Sequence, residues 1–286
     1  MAWRKAELDP GLYLVSTPIG SARDITLRAL DVLASADVLA AEDTRTLRHL
    51  MEIHGVPLDG RTVIAYHDHN GPKARPVLLG HLAAGRSVAY ASEAGTPLVA
   101  DPGFVLAREA IAAGSAVLAV PGASAVLAAL TVSGLPSDRF LFAGFPPATG
   151  AARRRWVEEL RDIPATLVVY ESPRRVGELL TVLAEHFGSG RRAVVCRELT
   201  KRHEEVVRDS LGALAARFAG AAPKGEVVVL VDRGTADRAA REDIDAALQA
   251  ALATMTVKDA AEAVAKAHGL ARRDVYRAAL RLAGKE

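Results

Sequence analysis

The amino-acid sequence predicts an α/β fold consisting of two α/β domains followed by a small helical region. Three observations lead to this prediction. Short apolar runs alternate with longer stretches of helical periodicity, as they do where crossover helices join strands. Hydrophobic residues make up 50% and charged residues 24% of the 286 residues, which is typical of a globular chain long enough for two cores. The final stretch shows helical periodicity without any strand pattern.

The first domain is predicted over residues 10–121. Helical patterns, including those at 25–36 and 102–113, separate five short apolar runs. This alternation predicts a mostly parallel sheet with helices on both faces, because each crossover brings the next strand back in the same direction. The predicted strands lie at 12–16, 38–41, 62–66, 87–91 and 116–120.

The second domain is predicted over residues 122–235. The pattern restarts after Pro121 and Gly122, and the domain ends at the turn Asp232-Arg233-Gly234. A helical pattern at 124–132 comes first, and runs rich in Val and Leu then predict strands. These strands lie at 140–143, 166–170, 193–196 and 225–231.

The tail, residues 241–286, is predicted to be helical. Three helical patterns lie in it, at 244–253, 256–268 and 271–282. Thr256 is followed three residues later by Asp259, which predicts a capping box, and Gly269 is suited to end the second helix. The last two helices have the outline of a helix-turn-helix.

Composition excludes several classes of protein. Cys196 is the single cysteine, so an intramolecular disulfide and a cysteine-built zinc site are excluded, and a reducing compartment is favoured. No apolar run approaches the ~18 residues of a membrane span, and the chain start lacks a signal-peptide pattern, so we expect a cytoplasmic protein. Lys and Arg number 36 against 34 Asp and Glu, so any nucleic-acid contact depends on local clusters.

Turns rich in Gly, Pro, Ser and Thr follow six of the predicted strands. Ligands of open parallel sheets bind outside the carboxyl ends of the strands, so we expect these turns to converge on one cleft. The chain has neither a Gly-x-Gly-x-x-Gly nor a P-loop pattern, which favours a small nucleoside ligand held by backbone amides and hydroxyls. The turns lie at 16–20, 41–45, 92–97, 121–125, 144–146 and 171–175.

Six segments stand along the chain in a characteristic order and spacing. They are LYLVSTPIG at 12–20, DITLRAL at 24–30, AEDTR at 41–45, GTP at 95–97 with DPG at 101–103, YESP at 170–173 and ELTK at 198–201. Together they closely resemble the small-subunit ribosomal RNA methyltransferase I family, within the tetrapyrrole methylase superfamily. The resemblance runs from about residue 12 to residue 282 and so includes the helical tail.

The resemblance implies two α/β domains of the tetrapyrrole methylase type, the first with a mostly parallel sheet and the second with a mixed sheet. It implies that S-adenosyl-L-methionine binds between the domains, commonly in a homodimer. The implied activity is 2′-O-methylation of a cytidine ribose in 16S ribosomal RNA, with either free RNA or the 30S subunit as substrate.

Matching the family's segments assigns a set of cofactor-binding residues. Four positions depart from the family pattern: Glu93 replaces Asp, Ser21-Ala22 replaces Asn-Leu, and Arg174 replaces His. Each departure weakens the transfer of a role to that side chain. The assigned residues are Pro18, Gly20, Glu93, Gly95, Thr96, Pro121, Ser124, Ala125, Gly144, Phe145 and Gly225.

Methyl transfer to a ribose hydroxyl requires alignment and a proton acceptor, and it requires no metal. Candidate acceptors are Glu93, Asp43, His67 and, favoured by the family's motif, Glu171. The alternative for Glu171 is a structural acceptor that holds a backbone turn. RNA is expected to meet basic and polar side chains, namely Arg45, His67, Asn70, Arg153, Arg154, Arg174, Arg175 and Lys201.

Several alternatives stay open. The close pair His67 and His69 suggests a metal, but no third ligand is evident and we expect none. In the tail, the arginines of the last helix favour RNA contact, whereas its apolar residues, Val257, Ala261, Val264 and Leu270, favour packing at a dimer or domain interface. The rival functions are a corrin-pathway C-methyltransferase and a non-catalytic ribosome-binding factor.

Overall fold

Two five-stranded sheets and a terminal group of three helices form the structure. The computed structural model describes residues 3–67, 69–100, 103–220, 224–233, 235–268, 270 and 272–283. Gly269, predicted to end a tail helix, lies outside the described residues, as do Asp101 and Pro102 of the fourth family segment.

The first sheet is entirely parallel, which confirms the predicted sheet type. Its strands are β1 (Gly11–Val15), β2 (Val38–Ala41), β3 (Val63–Ala65), β4 (Ser87–Ala91) and β5 (Val117–Val120). Their order across the sheet is β3-β2-β4-β1-β5, so the strands central to the sheet are β2, β4 and β1.

Helices cover both faces of this sheet. They are α1 (Leu27–Ser35), α2 (Thr44–Ile53), α3 (Gly71–Ala83) and α4 (Phe104–Ala112). Successive residues of a strand point to opposite faces, so Tyr13 and Val15 pack with α1 and α2 whereas Leu12 packs with α3 and α4. Each fully buried aliphatic side chain contributes about 1.5–3 kcal/mol to folding, which explains why β1 tolerates no exposed side.

The second sheet is mixed, as the resemblance implies. Its strands are β6 (Phe140–Phe142), β7 (Thr166–Glu171), β8 (Arg192–Arg197), β9 (Glu205–Ser210) and β10 (Val227–Val231). They lie in the order β6-β7-β10-β8-β9, with β6 and β7 parallel and every other pairing antiparallel. The sequence did not predict β9, because this edge strand is only partly buried and carries the polar run Arg208-Asp209-Ser210.

The two faces of the second sheet have different neighbours. The outer face is covered by α6 (Gly150–Leu160), α7 (Val176–Phe187) and α8 (Leu211–Phe218). The other face packs against α5 (Ala125–Ser133), which follows β5, and against Ile19, which follows β1. Helix α5 therefore joins the two sheets through one apolar cluster.

The tail forms α9 (Thr235–Leu252), α10 (Val257–His268) and α11 (Arg272–Leu282) around its own apolar core. Helix α9 begins earlier than predicted. Thr256 Oγ1 accepts a hydrogen bond from the Asp259 amide at 3.3 Å, as a capping box requires. The Asp259 carboxylate, however, accepts from the Thr256 hydroxyl at 2.7 Å and not from the Thr256 amide. Only half of the predicted capping box therefore forms. Among the described residues, no helix is long and apolar enough to cross a membrane.

Candidate active site

A cavity of about 440 Å³ opens where strand-end turns of the two sheets meet. The first sheet contributes turns after β1, β2, β4 and β5, and the second contributes the segment after β6, the end of β7 and the start of β10. The lining residues are Ile19, Glu42, Glu93, Ala94, Gly95, Thr96, Val99, Ala100, Ser124, Ala125, Phe145, Tyr170, Glu171, Ser172, Pro173, Gly225, Glu226, Val227 and Val228.

Hydrogen bonds between neighbouring turns make the first-sheet wall of the cavity rigid. Thr17 and Gly95 exchange two backbone hydrogen bonds, of 2.9 and 3.1 Å, which tie the turn after β1 to the turn after β4. The Thr96 hydroxyl donates to Ala123 O at 3.0 Å and so ties the second turn to the one after β5. Gly95 has a φ of +84°, a left-handed conformation that suits glycine.

A tight seam between the sheets lies beside this wall. A Cβ on Gly20 would stand 2.5 Å from Lys201 Cγ and 2.6 Å from Thr200 Oγ1, so only glycine fits. The Ser21 amide donates to Thr200 Oγ1 at 3.2 Å. Thr200 itself has a φ of +64°, which is strained for a β-branched residue and is held by these contacts.

Lys201 lies between two carboxylates. Its Nζ is 2.9 Å from Glu198 Oε1 and 3.0 Å from Glu226 Oε2. Burial alone would lower the pKa of Lys201, but the hydrogen bonds to Glu198 and Glu226 outweigh burial and raise that pKa. The hydrogen bond from Lys201 lowers the pKa of Glu198. Lys201, predicted to contact RNA, therefore already has two anionic partners within the protein.

Glu171 ends β7 and is buried. Its Oε1 accepts the Ser172 amide at 2.7 Å and Arg175 Nε at 2.8 Å, and Arg175 Nη2 is 2.6 Å from the same oxygen. Its Oε2 is buried without a hydrogen-bond partner. The carboxylate thus holds the turn that brings Ser172 and Pro173 to the cavity, and it keeps one oxygen unengaged.

All the described charged residues that line the cavity are acidic. Four carboxylates contribute to the lining, and none of the described lining residues is Lys, Arg or His. Phe145 and Tyr170 add an aromatic surface, with ring centroids 5.5 Å apart. Burial raises the pKa of Tyr170, so its hydroxyl stays neutral at physiological pH. A cationic ligand with an apolar or aromatic part is complementary to such a lining.

Most of the predicted cofactor-binding residues line this cavity. Those that do are Glu93, Gly95, Thr96, Ser124, Ala125, Phe145 and Gly225. Pro18, Gly20, Pro121 and Gly144 lie in the same turns without lining it. Gly144, for example, accepts the Tyr170 amide with its carbonyl at 3.0 Å, and so fixes the segment that carries Phe145.

The start of β10 is the part of the site that sequence reasoning missed. Val227 and Val228, the first two residues of β10, line the cavity, as does Glu226 directly before them. Val227 pairs with Glu171 in antiparallel register, so the amino end of β10 lies beside the carboxyl end of β7. The rule that ligands meet carboxyl ends of parallel strands gives no signal for such residues.

The prediction that Arg153 contacts RNA is wrong. This side chain is fully buried in the second domain, where Nε and Nη2 donate to Pro147 O and Ala148 O, each at 3.2 Å. Its Nη1 lies 2.8 Å from Glu178 Oε2 as an ion pair whose angle does not make a hydrogen bond. Arg153 shares a helix face with Val157 and Leu160, so helical phase places it in the core.

The remaining predicted RNA residues occupy different positions. Arg45, Arg154 and Arg174 are exposed, whereas Arg175 holds Glu171. Arg45 also pairs with Asp43, and the hydrogen bonds from Arg45 lower the pKa of Asp43 to about 2. Hydrogen bonds within the polar segment after β3 hold it together. The side-chain oxygen of Asn70 accepts the His67 amide at 2.8 Å, and the side-chain nitrogen of Asn70 donates to Ala65 O at 2.9 Å.

Two family profiles match the chain. "Tetrapyrrole (Corrin/Porphyrin) Methylases" matches residues 11–215, and "RsmI C-terminal HTH domain" matches residues 238–283. A Mesorhizobium japonicum protein named "Ribosomal RNA small subunit methyltransferase I" is 49% identical over 276 residues, covering 96% of this chain and 93% of its own. The chain belongs to this methyltransferase family.

Other proteins agree with this membership. A Mycobacterium tuberculosis protein of the same name is 43% identical, covering 94% of each chain. Among solved structures, uroporphyrin-III-C-methyltransferase from Thermus thermophilus superposes with a TM-score of 0.55 at 22% identity, covering 77% of this chain and 94% of its own. A conserved hypothetical protein from Aeropyrum pernix K1 gives 0.61 at 20% identity, covering 97% and 98%. These structures share the fold.

This chain, as a member of that family, is an S-adenosylmethionine-dependent methyltransferase. That conclusion disfavours the non-catalytic ribosome-binding factor. The Mesorhizobium japonicum relative aligns with 96% of the chain and the second profile matches the tail, whereas the superposition on uroporphyrin-III-C-methyltransferase covers 77% of the chain. The corrin-pathway alternative therefore has no support from the tail.

Proposed function

We propose that this methyltransferase transfers a methyl group to the 2′-hydroxyl of a cytidine ribose in small-subunit ribosomal RNA. The observation that carries the proposal is the nucleoside-sized, carboxylate-lined cavity between the two sheets of a chain whose relatives are named for that RNA. We also propose that it acts in the cytoplasm as a homodimer.

The cavity fits S-adenosylmethionine by size and by charge. Its volume of about 440 Å³ is in the range of small-molecule sites, about 300–1,000 Å³. Bound there, the donor supplies a methyl group on a positively charged sulfur. Glu93, Gly95, Thr96, Ser124 and Ala125 would hold it on the first-sheet wall. Phe145 and Gly225 would hold it from the second sheet. The carboxylates of the lining would balance its sulfonium and ammonium charges.

Glu171 is the proposed proton acceptor for the ribose hydroxyl. Its Oε1 is held by Ser172 and Arg175, which leaves Oε2, buried and without a hydrogen-bond partner, as the oxygen with an unused lone pair in a residue that lines the cavity. An acceptor in this position orients the hydroxyl and receives its proton as the new carbon–oxygen bond forms.

Glu171→Gln tests this role. If Oε2 accepts the proton, kcat falls about 100-fold or more while calorimetric affinity for S-adenosylmethionine is unchanged, in line with general-base contributions. Glu185→Gln, on an exposed part of α7, is the matched control and should have wild-type activity. Loss of donor affinity together with activity would assign Glu171 to holding the turn, and full activity would remove both roles.

Exposed arginines near the cavity are the proposed RNA contacts. Arg45 lies three residues after the lining residue Glu42, and Arg174 directly follows the lining residue Pro173, so the two approach the opening from different sheets. Arg154, also exposed, extends the same role along α6. Arginine suits phosphate because its planar donors match pairs of phosphate oxygens.

The decisive experiment maps ribose methylation by mass spectrometry in small-subunit RNA from cells lacking this protein, with and without a plasmid copy. The proposal expects one cytidine ribose methyl to disappear and to return with the plasmid. A second arm incubates the protein with labelled donor and either 30S subunits, free 16S RNA or corrin precursors. Label on a corrin precursor, or on a base instead of a ribose, would overturn the assignment.

A further inference from the structure

The tail has an open basin outside the methyl-transfer cavity. Its volume is about 390 Å³ and its lining residues are Lys258, Arg272, Arg273 and Tyr276, all of them exposed. Lys258 is the second residue of α10, and the two arginines are the first two residues of α11. Three cations and one aromatic ring therefore surround a space between the amino-terminal ends of two helices.

The positive charge of this basin is only partly balanced. Arg272 Nη2 lies 3.2 Å from Glu262 Oε2, so one guanidinium has a partner. The nearby Asp259 carboxylate is engaged by the Thr256 hydroxyl at 2.7 Å. In the described part of the chain, no carboxylate is ion-paired with the other two cations. Like charges grouped in this way repel one another unless an anion enters.

Helix geometry adds to the attraction for an anion. The amino-terminal turns of α10 and α11 carry the positive end of the helix dipole, although at α10 the Asp259 amide is already bound by Thr256 Oγ1. Phosphate groups bind at such positions. Tyr276 lies one turn into α11 and is 38% exposed, so its ring can stack on a base beside a bound phosphate.

The competing interpretation of the tail, packing at a dimer or domain interface, loses two of the four apolar residues on which it was based. Ala261 and Val264 are buried in the core that α9, α10 and α11 share, and Val257 packs against the same core. Of the four residues that could have formed such an interface, only Leu270 remains exposed. The exposed Met255 and the partly buried Val257 line a different basin, at the ends of α9 and α11, so the cationic basin has no apolar residue of that set in its lining.

We propose that this basin is an RNA phosphate site by which the tail docks the ribosomal RNA substrate, with Lys258 and Arg273 contacting phosphates and Tyr276 stacking on a base. This docking site rests on the proposed function, because it takes ribosomal RNA as the substrate. The amino-terminal residues of the second helix of a helix-turn-helix commonly meet nucleic acid, and α11 has that place in the tail.

The test measures RNA binding by the full-length double variant K258A/R273A. The probe is a fluorescein-labelled hairpin from small-subunit ribosomal RNA, titrated by anisotropy between 50 and 300 mM KCl without methyl donor. Removing two phosphate contacts should lower the slope of log K against log salt by about 1–2 and weaken binding roughly tenfold at 100 mM KCl. The matched control K266A/R139A also removes two exposed cations, and its slope should equal that of the wild type.

Further measurements separate this proposal from other causes. Binding should return in K258R/R273K, which retains the charges, and K258A/R273A should raise KM for RNA without changing kcat or KM for the methyl donor. Unchanged affinity and slope in K258A/R273A would refute the site, and so would loss of dimerisation with intact RNA binding. Methylation of the same hairpin by wild type is assayed separately, so failure of the proposed activity would not be mistaken for failure of the docking site.

Discussion

Arg153→Ala tests whether Arg153 binds phosphate, as the charge pattern of the sequence suggests, or holds the core, as the tertiary structure shows. Arg153, Arg154 and Arg155 form a basic triplet that looks like a phosphate-binding surface. In the structure, Arg153 instead fills the core under α6 and donates to two carbonyls of the segment at 147–148. That segment follows Phe145, which lines the cavity.

The magnitude follows from what the truncation removes. Two hydrogen bonds from a charged donor are lost, each worth about 1.5–3 kcal/mol, and the carbonyls of Pro147 and Ala148 lose that donor. A void also replaces a fully buried side chain. Glu178 is 59% exposed, so water rehydrates it and its ion pair adds little to the loss. We expect a destabilisation of about 3–5 kcal/mol, from the two lost hydrogen bonds and the void together.

Urea denaturation followed by fluorescence and circular dichroism measures this loss, with Arg154→Ala as the control one residue away on the exposed face of α6. Arg154→Ala should change the unfolding free energy by less than about 0.5 kcal/mol. In RNA anisotropy titrations, Arg154→Ala should lower the salt slope by about 1, whereas Arg153→Ala at permissive temperature should keep it. A stable Arg153→Ala protein with a reduced salt slope would refute the reasoning.

Four further outcomes are expected. Gly20→Val should reduce affinity for the methyl donor and lower stability, because its Cβ would clash with the segment at 199–201. Gly80→Ala, in an exposed helix interior with open space, should stabilise the protein by about 0.5–1 kcal/mol. Calorimetry measures the donor affinity, and urea titration measures both stabilities. Hydrogen bonds from the Ser87 hydroxyl and amide lower the pKa of Asp37, so its stabilising contribution is present above pH 3.8 and is lost as pH falls through the folded pKa. Asp37→Asn should flatten the acid limb of the stability profile, and an unaltered limb would contradict this. Burial raises the pKa of Cys196 to about 12, so its thiol should react with a disulfide reagent at pH 8 only after unfolding.

The sequence alone determined the sheet types and the turns that line the candidate site. The continuous apolar run of β1 and the crossover pattern specify a parallel sheet, because such a run must be covered on both faces. The strand-end turns at Gly95, Ser124 and Ser172 were identifiable because Gly, Pro, Ser and Thr have local conformational preferences that do not depend on distant contacts. The order of these segments was also enough to indicate the family.

Only the tertiary structure decided which residues face the cavity and which charges are exposed. Val227 and Val228 reach the cavity because β10 runs antiparallel to β7, a pairing between segments more than fifty residues apart in the chain. Arg153 is buried because α6 turns that face towards α7, which carries its ion-pair partner Glu178, although its neighbours Arg154 and Arg155 face solvent. Ala261, Val264 and Val275 are buried in the tail's own core, whereas the cations of its second basin are exposed. Local patterns encode periodicity and turns, whereas burial, pairing direction and uncompensated charge depend on which distant segments meet.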